Sequence, residues 1–148
     1  MNYWFECKVS YERQADSMGM KKVSESYLVD ALSFTEAEAR IIKEVTPFVS
    51  VGELEVVNIR RARIDELFLS ENPEHERFYR AKVNFITIDE KSGTEKKTAA
   101  TMIVQSDALL SAATELTAQL DGQMAAYEIA SITDTQILDV YRYEAPQQ

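Results

Sequence analysis

The stretch WFECKVSY (residues 4–11) returns as FYRAKVNF (residues 78–85), 74 positions later. KKVSESYLV (21–29) returns as KKTAATMIV (96–104) at an offset of 75, and EVVNIRRARIDELF (55–68) as EIASITDTQILDVY (128–141) at 73. In the last pair Val56 matches Ile129, Ile59 matches Ile132, Ile64 matches Ile137 and Phe68 matches Tyr141. Three blocks in one order and at nearly one spacing mark an internal duplication. The fold is therefore one unit used twice.

The unit has a readable shape. Tyr3, Phe5, Cys7, Val9 and Tyr11 alternate with mostly polar residues, the period of a half-buried strand. Turns follow in ADSMGM and DEKSGT, where Gly19 and Gly93 supply a permissive backbone. Val23, Tyr27 and Val29 then alternate with Lys22, Ser24 and Ser26 as a second strand. At LSFTEAEARIIKEV (32–45) the period changes to that of a helix, with Phe34, Ala37, Ile41 and Val45 as its apolar stripe. Ser33 and Glu36 make an S-x-x-E capping box, and Thr46-Pro47 ends the helix. A second helix is expected from about Asp107 to Leu120, its Ala112, Leu116 and Leu120 matching Ala37, Ile41 and Val45, with Gly122 as a C′ glycine. A third strand closes each unit, near 54–63 and 127–138.

The expected fold is α+β: two tandem ββαβ repeats with pseudo-twofold symmetry, an antiparallel or mixed sheet, and two helices packed on it. The 148 residues make one domain, 1–148, of repeats 1–68 and 77–143 with a linker at 69–76 and a short C-terminal tail at 144–148. The glycines fall at matching places, Gly19 with Gly93 and Gly52 with Gly122, so turns explain them and no phosphate-binding loop is spelled.

Composition bounds the function. A hydrophobic fraction of 45% is that of a globular chain, and a net charge of −9 opposes a non-specific grip on nucleic acid or an anionic membrane. One cysteine, Cys7, permits no internal disulfide and suits a reducing compartment. MNYWFECKV lacks the basic flank and apolar core of a signal peptide, and no run approaches a membrane span of ~18 apolar residues. A cytoplasmic location is expected, or the interior of a host cell if the protein is viral, with no membrane partner.

The candidate chemical groups have structural readings. Glu36 and Glu38 point about 200° apart on a helix and do not share a face, so they read as parts of a capped helix. His75, the lone histidine, sits in ENPEHER with Glu71, Glu74 and Glu76, a spacing that fits no metal-ligand pattern and reads as a solvated acidic linker. Cys7 lies on the inward phase of its strand, opposite Ala81 in the second copy, as a small core residue. No catalytic motif is found; no metal or cofactor is expected.

The outward faces of the hairpins carry the feature to follow. Trp4 and Lys8 in copy one match Phe78 and Lys82 in copy two, and Lys22 matches Lys97. Arg60, Arg61 and Arg63 add a basic run where copy two has Thr133, Asp134 and Gln136. Rings and cations on one face are what single-stranded nucleic acid needs. The same rings could instead pack against a protein partner or a second copy, and exposed sheet edges make a homodimer plausible.

WFECKV, YLVDALSFTEAEARI and FITIDEKSGTEKK together resemble an uncharacterised domain family of gut Bacteroidetes and their bacteriophages, with F-T-E-A-E as its most specific segment. The resemblance covers nearly the whole chain and implies a phage or mobile-element setting; it assigns no catalytic residue. The expected function is a non-catalytic binding or assembly module, with a single-stranded nucleic-acid binder as the alternative.

Overall fold

Alternation makes the hairpins long. In the computed structural model, which describes residues 3–15 and 19–143, β1 (Tyr3–Ala15) pairs antiparallel with β2 (Gly19–Ala31), and Gly19 takes the positive φ of 80° that favours glycine at the turn. The rest of the turn read from ADSMGM, residues 16–18, lies outside the described residues, as does the tail at 144–148. Helix α1 (Phe34–Val45) and a single 3-10 turn (Thr46–Phe48) lead into β3 (Val51–Ala62), which pairs antiparallel with the other edge of β1. A three-residue strand, β4 (Glu66–Phe68), follows.

The second copy repeats the order. Strands β5 (Arg77–Ile88) and β6 (Glu95–Ser106) form the hairpin, α2 (Leu109–Asp121) crosses it, and β7 (Ala126–Asp134) pairs with β5. A last short strand, β8 (Ile137–Tyr141), ends the described chain. Each repeat thus has the expected ββαβ order, and each adds one short strand: β4 lies beyond the third strand expected near 54–63, and β8 begins within the one expected near 127–138.

Those short strands do not stay with their own repeats. The sheets run β3-β1-β2-β8 and β4-β6-β5-β7, and the fourth strand is parallel to its neighbour in each: β8 beside β2, β4 beside β6. The chain accordingly divides into one unit of Met1–Arg63 with Gln136–Gln148 and another of Ile64–Thr135. Each sheet is mixed, and its parallel strand comes from the sequence block that closes the other repeat.

The helix stripes land where the spacing puts them except at Phe34, which stands in the first turn of α1 and stays half exposed. Ala37, Ile41 and Val45 are fully buried against Phe5, Cys7, Val9, Tyr11, Tyr27 and Val29. Ala112, Leu116 and Leu120 are fully buried against Tyr79, Ala81, Val83, Met102 and Val104. Burying one Ile or Leu side chain contributes about 1.5–3 kcal/mol, so each stripe is a main source of its unit's stability. Ser33 caps α1 by accepting a hydrogen bond from the Glu36 N–H at 3.1 Å, while Glu36 Oε2 accepts from the Leu32 N–H at 3.4 Å. Helix α2 has Ala108 at the same position and no side-chain cap. Gly122 departs from expectation: its φ of −73° is ordinary helical backbone, so the end of α2 does not require glycine.

The third strands bulge at matching places. Between Lys8 and Val9 the register with β3 slips by one, leaving Val57 as an extra residue; between Lys82 and Val83 it slips on β7, leaving Ala130. A bulge bends its strand and turns the extra side chain out of the alternating pattern.

Candidate functional site

The proposed stacking platform does not form. Trp4 is half-buried on the outward face of β1, opposite Ala62 of β3, but Phe78 is only 1% exposed. Thr135, just past β7, donates both its N–H (3.2 Å) and its hydroxyl (2.6 Å) to the Phe78 carbonyl. Ile103, on the same face of the neighbouring strand β6, is fully buried too. Alternation reveals which residues share a face; it does not reveal whether that face meets water. A base cannot stack on a ring that solvent cannot reach.

The cations are largely engaged. Lys22 reaches Glu55 at 3.7 Å, and the matching pair in copy two, Lys97 and Glu128, lies at 2.8 Å. Arg60 Nε donates to Glu6 at 2.7 Å, and the Arg61 guanidinium lies 3.7 Å from the centre of the Tyr3 ring. Lys97 holds Glu128 below the usual carboxylate range, helped by the Asn84 amide, and Glu128 in turn raises Lys97. Lys8, Lys82 and Arg63 are exposed. Lys22 and Lys97 therefore belong to a repeated cross-strand ion pair, which accounts for the recurrence of these two lysines without a ligand.

His75 corrects the linker reading. Residues 70–75 form a turn in which Ser70 Oγ meets His75 Nδ1 at 2.7 Å, and the histidine side chain is only 16% exposed. Gln105 clamps the turn, accepting from the Ser70 N–H and donating to the His75 carbonyl, both at 2.9 Å. Asn72 adds an Asx-type contact, its Oδ1 accepting from the Glu74 N–H. Short polar residues around Pro73 thus supply the hydrogen bonds that a solvated loop would take from water. A serine beside a histidine invites a catalytic reading, but Glu115 Oε1 also approaches Nδ1, at 3.9 Å, and Nε2 faces Asn72. A relay needs nucleophile and carboxylate on opposite ring nitrogens. Among the described residues no group of three His, Cys, Asp or Glu side chains is placed to hold a metal.

Cys7 is fully buried, and burial, with Glu6 adding, pushes its thiol up to about 12. A thiol so far from ionising is not a nucleophile.

One surface in the first unit was missed by the sequence reading. Phe34, Thr35 and Glu38 of α1 and residues 56–59 of β3 line an open groove of about 370 Å³. Phe34 sets its ring edge-on to Phe5, 4.9 Å between centroids, yet keeps half its surface (52%) in solvent, and Val57 keeps 49%. The bulge explains Val57: the extra residue cannot follow the alternation that packs the partly buried Val56 against the core. The available signal was the doublet Val56-Val57, which breaks the period of two. The two glutamates also separate here, since Glu36 caps the helix while Glu38 faces the groove. At the matching place in copy two stand Leu109, Leu110 and Ala113, with no acid.

The chain belongs to the family described as a domain of unknown function, DUF4494, whose sequence model matches residues 3–143. None of the curated proteins and none of the solved structures matches the chain. No helix of the described residues is long and apolar enough to cross a membrane.

Proposed function

We propose that the chain is a non-catalytic binding or assembly module that takes a protein partner where α1 meets the bulged edge of β3. The observation that carries the reading is the pairing of Phe34 and Val57, two half-exposed apolar side chains, at the rim of a groove beside an edge strand. Clustered exposed apolar surface next to strand backbone open to pairing is what an interaction site offers. A phage or mobile-element accessory role goes with this proposal, supported by the resemblance carried by the F-T-E-A-E segment. The test is a photo-crosslinking amino acid placed at Val57, with Ala130, its counterpart on β7, as control. Protein adducts, to another chain or to a second copy, are expected from Val57 and not from Ala130. Equal adducts at both positions, or adducts to nucleic acid alone, would overturn the proposal.

A further inference from the structure

Building on that reading, we infer that the partner at β3 is a second copy of this chain, joined by antiparallel pairing of the two β3 strands about an axis between Val57 and Asn58. Strand β3 stands at the end of its sheet, so one of its edges pairs with β1 and the other pairs with no strand among the described residues. Its sequence, VGELEVVNIRRA, is divided by charge: Glu53 and Glu55 occupy the first half, Arg60 and Arg61 the second. A strand of that pattern complements itself only when two copies run in opposite directions. With the axis between Val57 and Asn58, Glu55 of each copy faces Arg60 of the other, so the contact recurs twice by symmetry. The faces agree as well. Val56 and Ile59, which both pack toward the helix side of the sheet, fall opposite one another. Cross-strand neighbours of this kind set register.

The bulge sits at the axis, and the ladder forms on either side of it. There the half-exposed Val57 and Phe34 of each copy gain apolar neighbours, which accounts for apolar surface that a monomer would leave in water. Strand β7 has the same position in its sheet but not the same chemistry. Thr133 and Asp134 stand where β3 has Arg60 and Arg61, so two β7 strands run together would gain no opposite-charge contact. The pairing belongs to β3 alone.

The experiment uses the full chain in sedimentation equilibrium, with four variants. Glu55→Arg and Arg60→Glu each turn two attractive contacts across the axis into repulsive ones, besides reversing the intrachain pair with Lys22 or Glu6, and each is expected to weaken the dimer by about tenfold or more. The double variant, Glu55→Arg with Arg60→Glu, exchanges the partners and is expected to restore dimerisation to within about threefold of the parent. Val57→Lys, which leaves the intrachain ion pairs intact, is expected to give a folded monomer. A parent chain that is monomeric at concentrations of order 10⁻⁴ M overturns the inference, since that is weaker than about 5.5 kcal/mol of association. A dimer indifferent to both single variants, or a double variant no tighter than the singles, overturns it too. A monomer that still crosslinks another protein through Val57 removes only the second copy; silence at Val57 toward every protein removes the docking reading itself.

Discussion

Ending the chain after Thr135 should unfold the first unit and spare the second. The cut removes β8, whose Ile137 is buried and whose Tyr141 stacks on Tyr27 with centroids 5.6 Å apart. It also removes Tyr143, over whose ring the Arg40 guanidinium lies at 5.6 Å while Arg40 pairs with Asp30 at 2.6 Å. Burial of an isoleucine contributes about 1.5–3 kcal/mol, an aromatic pair about 0.5–1.5, and each net ladder hydrogen bond about 1, so the loss is of the order of 4–8 kcal/mol. That is comparable with the whole stability of a small domain, about 5–15 kcal/mol. Strands β4 to β7 and α2 lie within residues 64–135, so the cut leaves the second unit with all of its residues. Hydrogen exchange read by peptide should show segments of β1, β2, β3 and α1 exchanging freely while β5, β6 and α2 keep their protection. The milder Ile137→Ala should cost the first unit about 2–5 kcal/mol by cavity formation. Undiminished protection of β1 and β2 in the shortened chain would refute the strand exchange.

Other outcomes follow from the side chains. Cys7, buried and with its thiol pushed up to about 12, should resist thiol reagents in the native protein at mild alkaline pH and react at once on unfolding. Fast native labelling would contradict its packing. Glu128 is held below its ordinary 4.5, so its contribution to stability is complete above that value and fades as pH falls below it. Glu128→Gln should therefore flatten the decline of melting temperature below about pH 4.5; an unchanged acid limb would contradict the pairing with Lys97. Titrating oligonucleotides at low salt should leave the fluorescence of Trp4 unquenched, because no second ring is available at Phe78. Salt-sensitive quenching would revive the nucleic-acid reading.

The parts of the fold that were legible in the sequence were those stated twice. Ala37, Ile41 and Val45 could be trusted as a core stripe because Ala112, Leu116 and Leu120 repeat it, and the cap at Ser33 has a local chemical cause. Phe78 was misread because period two assigns faces, and the outward face at that end of β5 is buried. Ile64 and Phe68 line up with Ile137 and Tyr141 as repeats, yet pairing partners are a property of topology, so nothing in the match announced that the short strands exchange sheets. His75 was misread because its partners, Ser70, Asn72 and Gln105, are polar residues common in loops, and only the folded turn brings them together. The groove was hidden for a related reason. Its lining joins α1 to a bulge, and a bulge is visible in sequence only as a doublet out of phase.

Amide hydrogen exchange along β3 tests the central claim most directly. Measured on the full chain at low and high protein concentration, the amides of residues 53–61 should slow as concentration rises, while those of β7 should not change. Exchange in β3 that is independent of concentration, or slowing confined to β7, would contradict the account.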